Sequence, residues 1–87
     1  MSNADRISEY IVREFLPDLT PSQLPHDQDL LGDGAIDSLG VLKLIAWVEH
    51  HFQLAVGDTD LDPENFRSVA AIDAYVARSQ SAPVTGG

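Results

Sequence analysis

The segment from Pro17 to Asp37 does most to limit what this chain can fold into. It holds three prolines, two glycines and five aspartates, so neither a helix nor a paired strand runs through it. Apolar patterns of helical period lie on both sides, which makes the segment a crossover between two helices. Loops of this length are uncommon in compact domains unless they are anchored. Leu24, Leu30, Leu31 and Ile36 supply apolar anchors, and Thr20-Pro21-Ser22-Gln23 reads as a capped helical turn with proline at its first position.

Before the crossover, Ile7, Ile11 and Phe15 recur every four residues with Tyr10 beside them, while Asp5, Arg6, Glu9, Arg13 and Glu14 fall elsewhere. This predicts an amphipathic helix, capped by Ser2 with Asp5 and stopped at Leu16 by Pro17. After the crossover, Ser38 to Phe52 predicts a second helix with serine at the N-cap. Val41, Leu44, Ile45, Val48 and Phe52 gather on one arc, assigned to the core. Leu39, Leu42 and Ala46 form a second arc, either packed under the loop or exposed as a contact surface. Phe52, Leu54 and Val56 alternate, but no second strand-like run exists to pair with them, so an extended connector is expected. Asp62-Pro63-Glu64-Asn65-Phe66 signals a short helical turn. Ser68 then caps a last helix carrying Val69, Ile72, Tyr75 and Val76. The expected fold is all-α, a small four-helix bundle of three main helices plus a short third one. One domain is expected over residues 1–78, with a disordered tail over residues 79–87.

An 87-residue chain holds one small domain and no second catalytic one. The absence of cysteine excludes disulfide scaffolds, zinc ribbons and thiol catalysis. A formal charge of −9 argues against nucleic acid or an anionic membrane as partner. With no targeting or membrane-spanning run, the reading is a cytoplasmic monomer. The acidic excess sits in two stretches, Asp18 to Asp37 and Asp58 to Glu64, because elsewhere five acids match five bases. Asp58-Thr59-Asp60-Leu61-Asp62 imitates the start of a calcium loop, but Pro63 and Val69 stand where glycine and glutamate are needed. No metal site is expected. The histidines are His26, His50 and His51; His50 lies more than three turns along the helix from Ser38, so a Ser-His-Asp arrangement would require loop folding.

The remaining feature is Asp37-Ser38-Leu39. Serine at a helix start is ordinarily structural. Here an acid precedes it, an apolar stripe follows it, and the host has no catalytic equipment of its own, so the hydroxyl suits modification by another enzyme. The positive end of the helix would also favour a phosphodiester there.

From about Asp5 to Arg78 the chain resembles the acyl carrier protein family, including peptidyl and D-alanyl carriers. The most specific stretch is Leu30-Leu31-Gly32-Asp33-Gly34-Ala35-Ile36-Asp37-Ser38-Leu39-Gly40, supported by Asp60-Leu61-Asp62-Pro63-Glu64-Asn65-Phe66. The resemblance implies that Ser38 receives a 4′-phosphopantetheine arm from coenzyme A through a separate magnesium-dependent phosphopantetheinyl transferase. The arm's thiol would carry an acyl or aminoacyl group as a thioester. The protein would be a shuttle without catalytic activity, served by an acyl- or aminoacyl-loading adenylating ligase and by a synthase or transferase acting on the thioester. By position, Asp37, Leu39, Leu42, Lys43, Ala46 and Glu49 would form the partner-docking face. Gly40 and Lys43 stand where fatty-acid-synthesis carriers commonly have acids, and Asp33-Gly34 with Asp37-Ser38 and Gly40 is closer to D-alanyl carriers and discrete carriers loaded by ligases. The expectation is a free-standing carrier of a polyketide or nonribosomal-peptide type pathway. A fatty-acid or D-alanyl carrier, and an acidic interaction module without the arm, are the alternatives.

Overall fold

The computed structural model describes residues 2–57 and 61–81. Three α-helices, α1 (Asn3–Phe15), α2 (Ser38–Phe52) and α3 (Val69–Ser81), are joined by segments carrying 3-10 turns at Pro21–Gln23 and Pro63–Phe66. No strand occurs among the described residues, and none of their helices is long and apolar enough to cross a membrane. The all-α bundle expected from the sequence is thus the architecture found, with the short third helix present as the 3-10 turn at Pro63–Phe66. α3 continues to Ser81, past the boundary expected at Arg78. Residues 82–87 of the expected tail lie outside the described residues.

The helices form where their caps and apolar spacing dictate. In α1, the Asp5 amide donates to Ser2 Oγ at 3.1 Å and the Ser2 amide donates to Asp5 Oδ2 at 3.2 Å, a reciprocal capping box. The helix stops before Pro17 with Leu16 as its C-cap. In α3, the Ala71 amide donates to Ser68 Oγ at 3.1 Å, as the sequence predicts. The core draws Ile7 and Ile11 from α1, Leu44 and Val48 from α2, Ile72 and Val76 from α3, and Phe66 from the second turn, all fully buried. Each such side chain contributes roughly 1.5–3 kcal/mol by leaving water.

The crossover is anchored as its leucines suggest. Leu24, Leu30 and Ile36 are buried in the same core. Its backbone is tied to the start of α3, since the Leu30 amide donates to the Arg67 carbonyl at 2.8 Å and the Ala70 amide donates to the His26 carbonyl at 2.7 Å. Arg67 reinforces this join, lying 3.5 Å from Asp29 and 3.3 Å from Glu64. Gly34 turns the chain back with φ of 77°, a conformation that side chains rarely adopt, and Ile36 then donates to the Leu30 carbonyl at 3.1 Å. The loop therefore delivers Asp37 and Ser38 at a fixed place, beside the segment that opens the second 3-10 turn.

The start of α2 differs from the expectation in one respect. Asp37, and not Ser38, is the N-cap: its backbone is extended and its Oδ1 accepts from the Gly40 amide at 2.7 Å. Ser38 is already helical. Both residue types cap helices well, and the carboxylate one position earlier takes the role because it reaches the third amide of the helix. The hydroxyl of Ser38 is thereby released from structural duty.

Candidate functional site

Ser38 is exposed at the first position of α2, and among the described residues no hydrogen bond holds its hydroxyl. The Gly40 amide is satisfied by the Asp37 side chain, and the Val41 amide by the Asp37 carbonyl at 2.9 Å. The amides of Ser38 and Leu39 have no partner within the helix. An exposed, unbonded hydroxyl thus stands where two backbone donors and the positive end of the helix dipole favour an anion.

Beside it opens an apolar groove of about 650 Å³. Ile36 and Leu31 from the loop form one wall, Val41, Leu42 and Ile45 of α2 form another, and Leu61 and Pro63 close the far side. Ser38, Leu42 and Ile45 fall on one stripe of α2, spaced four and then three residues apart, which is why they share this wall. The exposed large apolar side chains of the described residues border the same place: Leu39 is 76% exposed, Leu42 61% and Leu61 45%. Of the two alternatives for the second apolar arc of α2, the structure selects the exposed one: Leu39, Leu42 and Ala46 face solvent.

Two of the charged residues expected on this face, Lys43 and Glu49, have partners within the fold. Lys43 Nζ pairs with Glu14 Oε2 of α1 at 2.7 Å. A hydrogen bond to Glu14 raises the ammonium's pKa, and the same bond lowers that of the carboxyl. Glu49 Oε2 accepts from the Val56 amide at 3.0 Å, securing the chain as it leaves α2. Of the six side chains expected to form a docking face, Asp37 and Leu42 line the groove with Ser38, while Leu39 and Ala46 are exposed on the same helix. Lys43 and Glu49 are engaged with other parts of the fold.

Sequence reasoning missed the contribution of Leu61 and Pro63 to the groove. The available signal was a single leucine inside an acidic stretch, Asp58 to Glu64, with no helical partner of its own. Asp58 to Asp60, the start of the calcium-loop mimic, lie outside the described residues. His50 and His51 stand about 18–20 Å along α2 from Ser38 by helical rise. His51 is stacked on Trp47, ring centroids 4.8 Å apart, and Trp47 is stacked in turn on Tyr10 at 4.3 Å. His26 lines a separate polar cleft with Asp5 and Ser8. These positions place no histidine beside Ser38.

The site fits a covalently tethered phosphate-linked group on the chain's own geometry. The hydroxyl is accessible and unbonded, the amides beside it suit a phosphodiester, and an apolar surface runs away from it.

The family model for the phosphopantetheine attachment site matches residues 9–76. Aminoacyl carrier protein 2 of Bradyrhizobium diazoefficiens is 33% identical over 66 residues, 76% of this chain and 74% of that protein. Among solved structures, the apo form of KstB-PCP superposes with a TM-score of 0.79 and 46% identity, covering 98% of this chain and 93% of the other. The solution structure of KstB-PCP, from kosinostatin biosynthesis, gives a TM-score of 0.65 and 47% identity, covering 98% and 96%.

Proposed function

The chain belongs to the family defined by the phosphopantetheine attachment site, and from that premise we propose that Ser38 is the attachment residue of a carrier for acyl or aminoacyl groups. The family's prosthetic group is 4′-phosphopantetheine, covalently held. When bound, it supplies the terminal thiol that this cysteine-free chain lacks, and cargo is carried there as a thioester. The observation that carries the assignment is the release of the Ser38 hydroxyl by the Asp37 cap, at the mouth of the apolar groove. In attachment, the Ser38 oxygen bonds to the phosphorus that bears the pantetheine of coenzyme A. The pyrophosphate bond breaks, the adenosine bisphosphate half leaves, and the hydroxyl proton passes to the transferase.

The residues around Ser38 divide the remaining work. The Ser38 and Leu39 amides orient and neutralise the phosphodiester. The groove offers an apolar surface for the uncharged parts of the arm or an apolar cargo. Leu39, Leu42 and Ala46, with Asp37 at their edge, form the surface on which partner enzymes dock: the transferase, an adenylating ligase that loads the cargo, and a synthase or transferase that takes it. The chemistry belongs to those partners. The likeness to an aminoacyl carrier and to a carrier of kosinostatin biosynthesis supports service in a specialised pathway of the polyketide or nonribosomal-peptide kind.

A promiscuous phosphopantetheinyl transferase, coenzyme A and magnesium should add one phosphopantetheine mass to the wild-type protein and none to Ser38→Ala. An unchanged wild-type mass, under conditions that modify a control carrier, would refute the assignment.

A further inference from the structure

Glycine is disfavoured in a helix relative to every residue but proline, yet Gly40 occupies the third position of α2, two residues beyond Ser38. The reason is space. A β-carbon at this position would lie 2.9 Å from Ile36 Cγ2, 3.0 Å from Phe15 Cε1 and 3.2 Å from Asp37 Oδ1, all closer than the ordinary separation of non-bonded carbons, about 3.5–4.0 Å. The three neighbours come from three places: the last residue of α1, the end of the crossover, and the cap of α2 itself. Ile36 has little room to retreat because it is buried, and the half-buried Phe15 ring is held on one side by Tyr10, which it meets edge-on at 6.2 Å. The third is the acceptor of Gly40's own amide hydrogen bond. Next to this contact, Glu14 pairs with Lys43, so the last turn of α1 meets the first and second turns of α2 in two adjacent places.

We propose that Gly40 is a positioning residue for Ser38, and that Phe15 and Gly40 form a size-matched pair holding the first turn of α2 against α1. A methyl group at position 40 forces that turn away from Phe15 and Ile36 and displaces Asp37 from its cap. The Ser38 hydroxyl and the two amides beside it move with the turn. The rest of α2 stays in place, because Leu44, Val48 and Phe52 remain buried in the core. The proposal rests on Ser38 being the attachment residue.

The test compares wild type, Gly40→Ala, Phe15→Leu and the double variant by two readouts. The first is amide hydrogen exchange, residue by residue, along α2 of the unmodified protein. Gly40→Ala should lower protection of the residue-40 amide by about tenfold while the amides from Leu44 to Phe52 exchange as in wild type. The second is the rate of phosphopantetheine transfer from coenzyme A. Gly40→Ala should lose about 10- to 100-fold, as expected for a misplaced reacting group, in kcat more than in KM because Leu42 and Ala46 of the exposed stripe lie beyond the displaced turn. Adding Phe15→Leu should recover much of both losses. Wild-type exchange and wild-type transfer in Gly40→Ala would overturn the positioning role, as would a uniform loss of protection along α2 that Phe15→Leu fails to reverse. Failure of the wild-type protein to be modified would instead remove the attachment reading, and this proposal with it.

Discussion

Replacing Asp37 by alanine removes the acceptor that caps α2 and leaves the Gly40 amide, bonded to it at 2.7 Å, without a partner. Loss of such a cap costs about 1 kcal/mol, within a range of 0.5–2. In a domain of this size 1 kcal/mol lowers the melting temperature by about 4–8 °C. Ser38→Ala removes an exposed hydroxyl that bonds nothing, at a helical position where alanine is the better helix former by roughly 0.5 kcal/mol. Its melting temperature should therefore equal or slightly exceed that of wild type. Asp37→Asn keeps an acceptor oxygen and should fall between the two. Thermal and urea unfolding followed by far-ultraviolet circular dichroism measures all three. If Ser38→Ala were destabilised as much as Asp37→Ala, the serine would be the cap after all, and the argument that its hydroxyl is free for modification would fail.

Other measurements probe the rest of the account. Asp5 is held below the ordinary carboxylate range by hydrogen bonding with Ser2, and Glu14 by its hydrogen bond with Lys43. Their contribution is therefore present above about pH 4 and is lost as pH falls through the lowered values. The melting temperature should drop on acidification from about pH 5 to about pH 3, less steeply in Lys43→Met, and a flat profile would contradict it. Phe66→Ala, which empties a fully buried site between the second turn and Tyr75, should cost about 3–5 kcal/mol; a loss under about 1 kcal/mol in urea titration would mean that the core closes differently. Leu42→Asp places a charge on the exposed stripe one turn from Ser38 and should slow transfer to Ser38 at least severalfold with stability unchanged. Equal transfer rates would remove that stripe as the docking surface.

Much of this fold is legible in the sequence because its signals are local. Ile7 and Ile11, Leu44 and Val48, and Ile72 and Val76 keep the helical period and are buried as that period requires. Ser2 with Asp5, Pro17 and Ser68 set helix ends within a few residues of themselves. The surroundings of Ser38 are legible only in part, because they depend on residues distant in sequence. Asp37 and Ser38 are equally competent caps, and only the reach of the carboxylate to the Gly40 amide decides between them. Lys43 and Glu49 project from α2 in ways compatible with a docking surface, but Glu14 of α1 and the Val56 amide claim them. Gly40 looks like a weak point in a helix until Phe15 and Ile36 arrive against it. The exposed stripe beside Ser38 is consequently more apolar than a tally of charges along α2 implies, with the acidic crossover as its border.

The central claim is that Ser38 bears the arm and that cargo rides on it. Peptide-level mass spectrometry of the protein isolated from its native host, before and after hydroxylamine treatment, tests this most directly. Phosphopantetheine is expected on the peptide containing Ser38, at Ser38 itself, with any further mass removed by hydroxylamine as a thioester would be. Phosphopantetheine on another residue, or a Ser38 peptide unmodified throughout the isolated population, would contradict it.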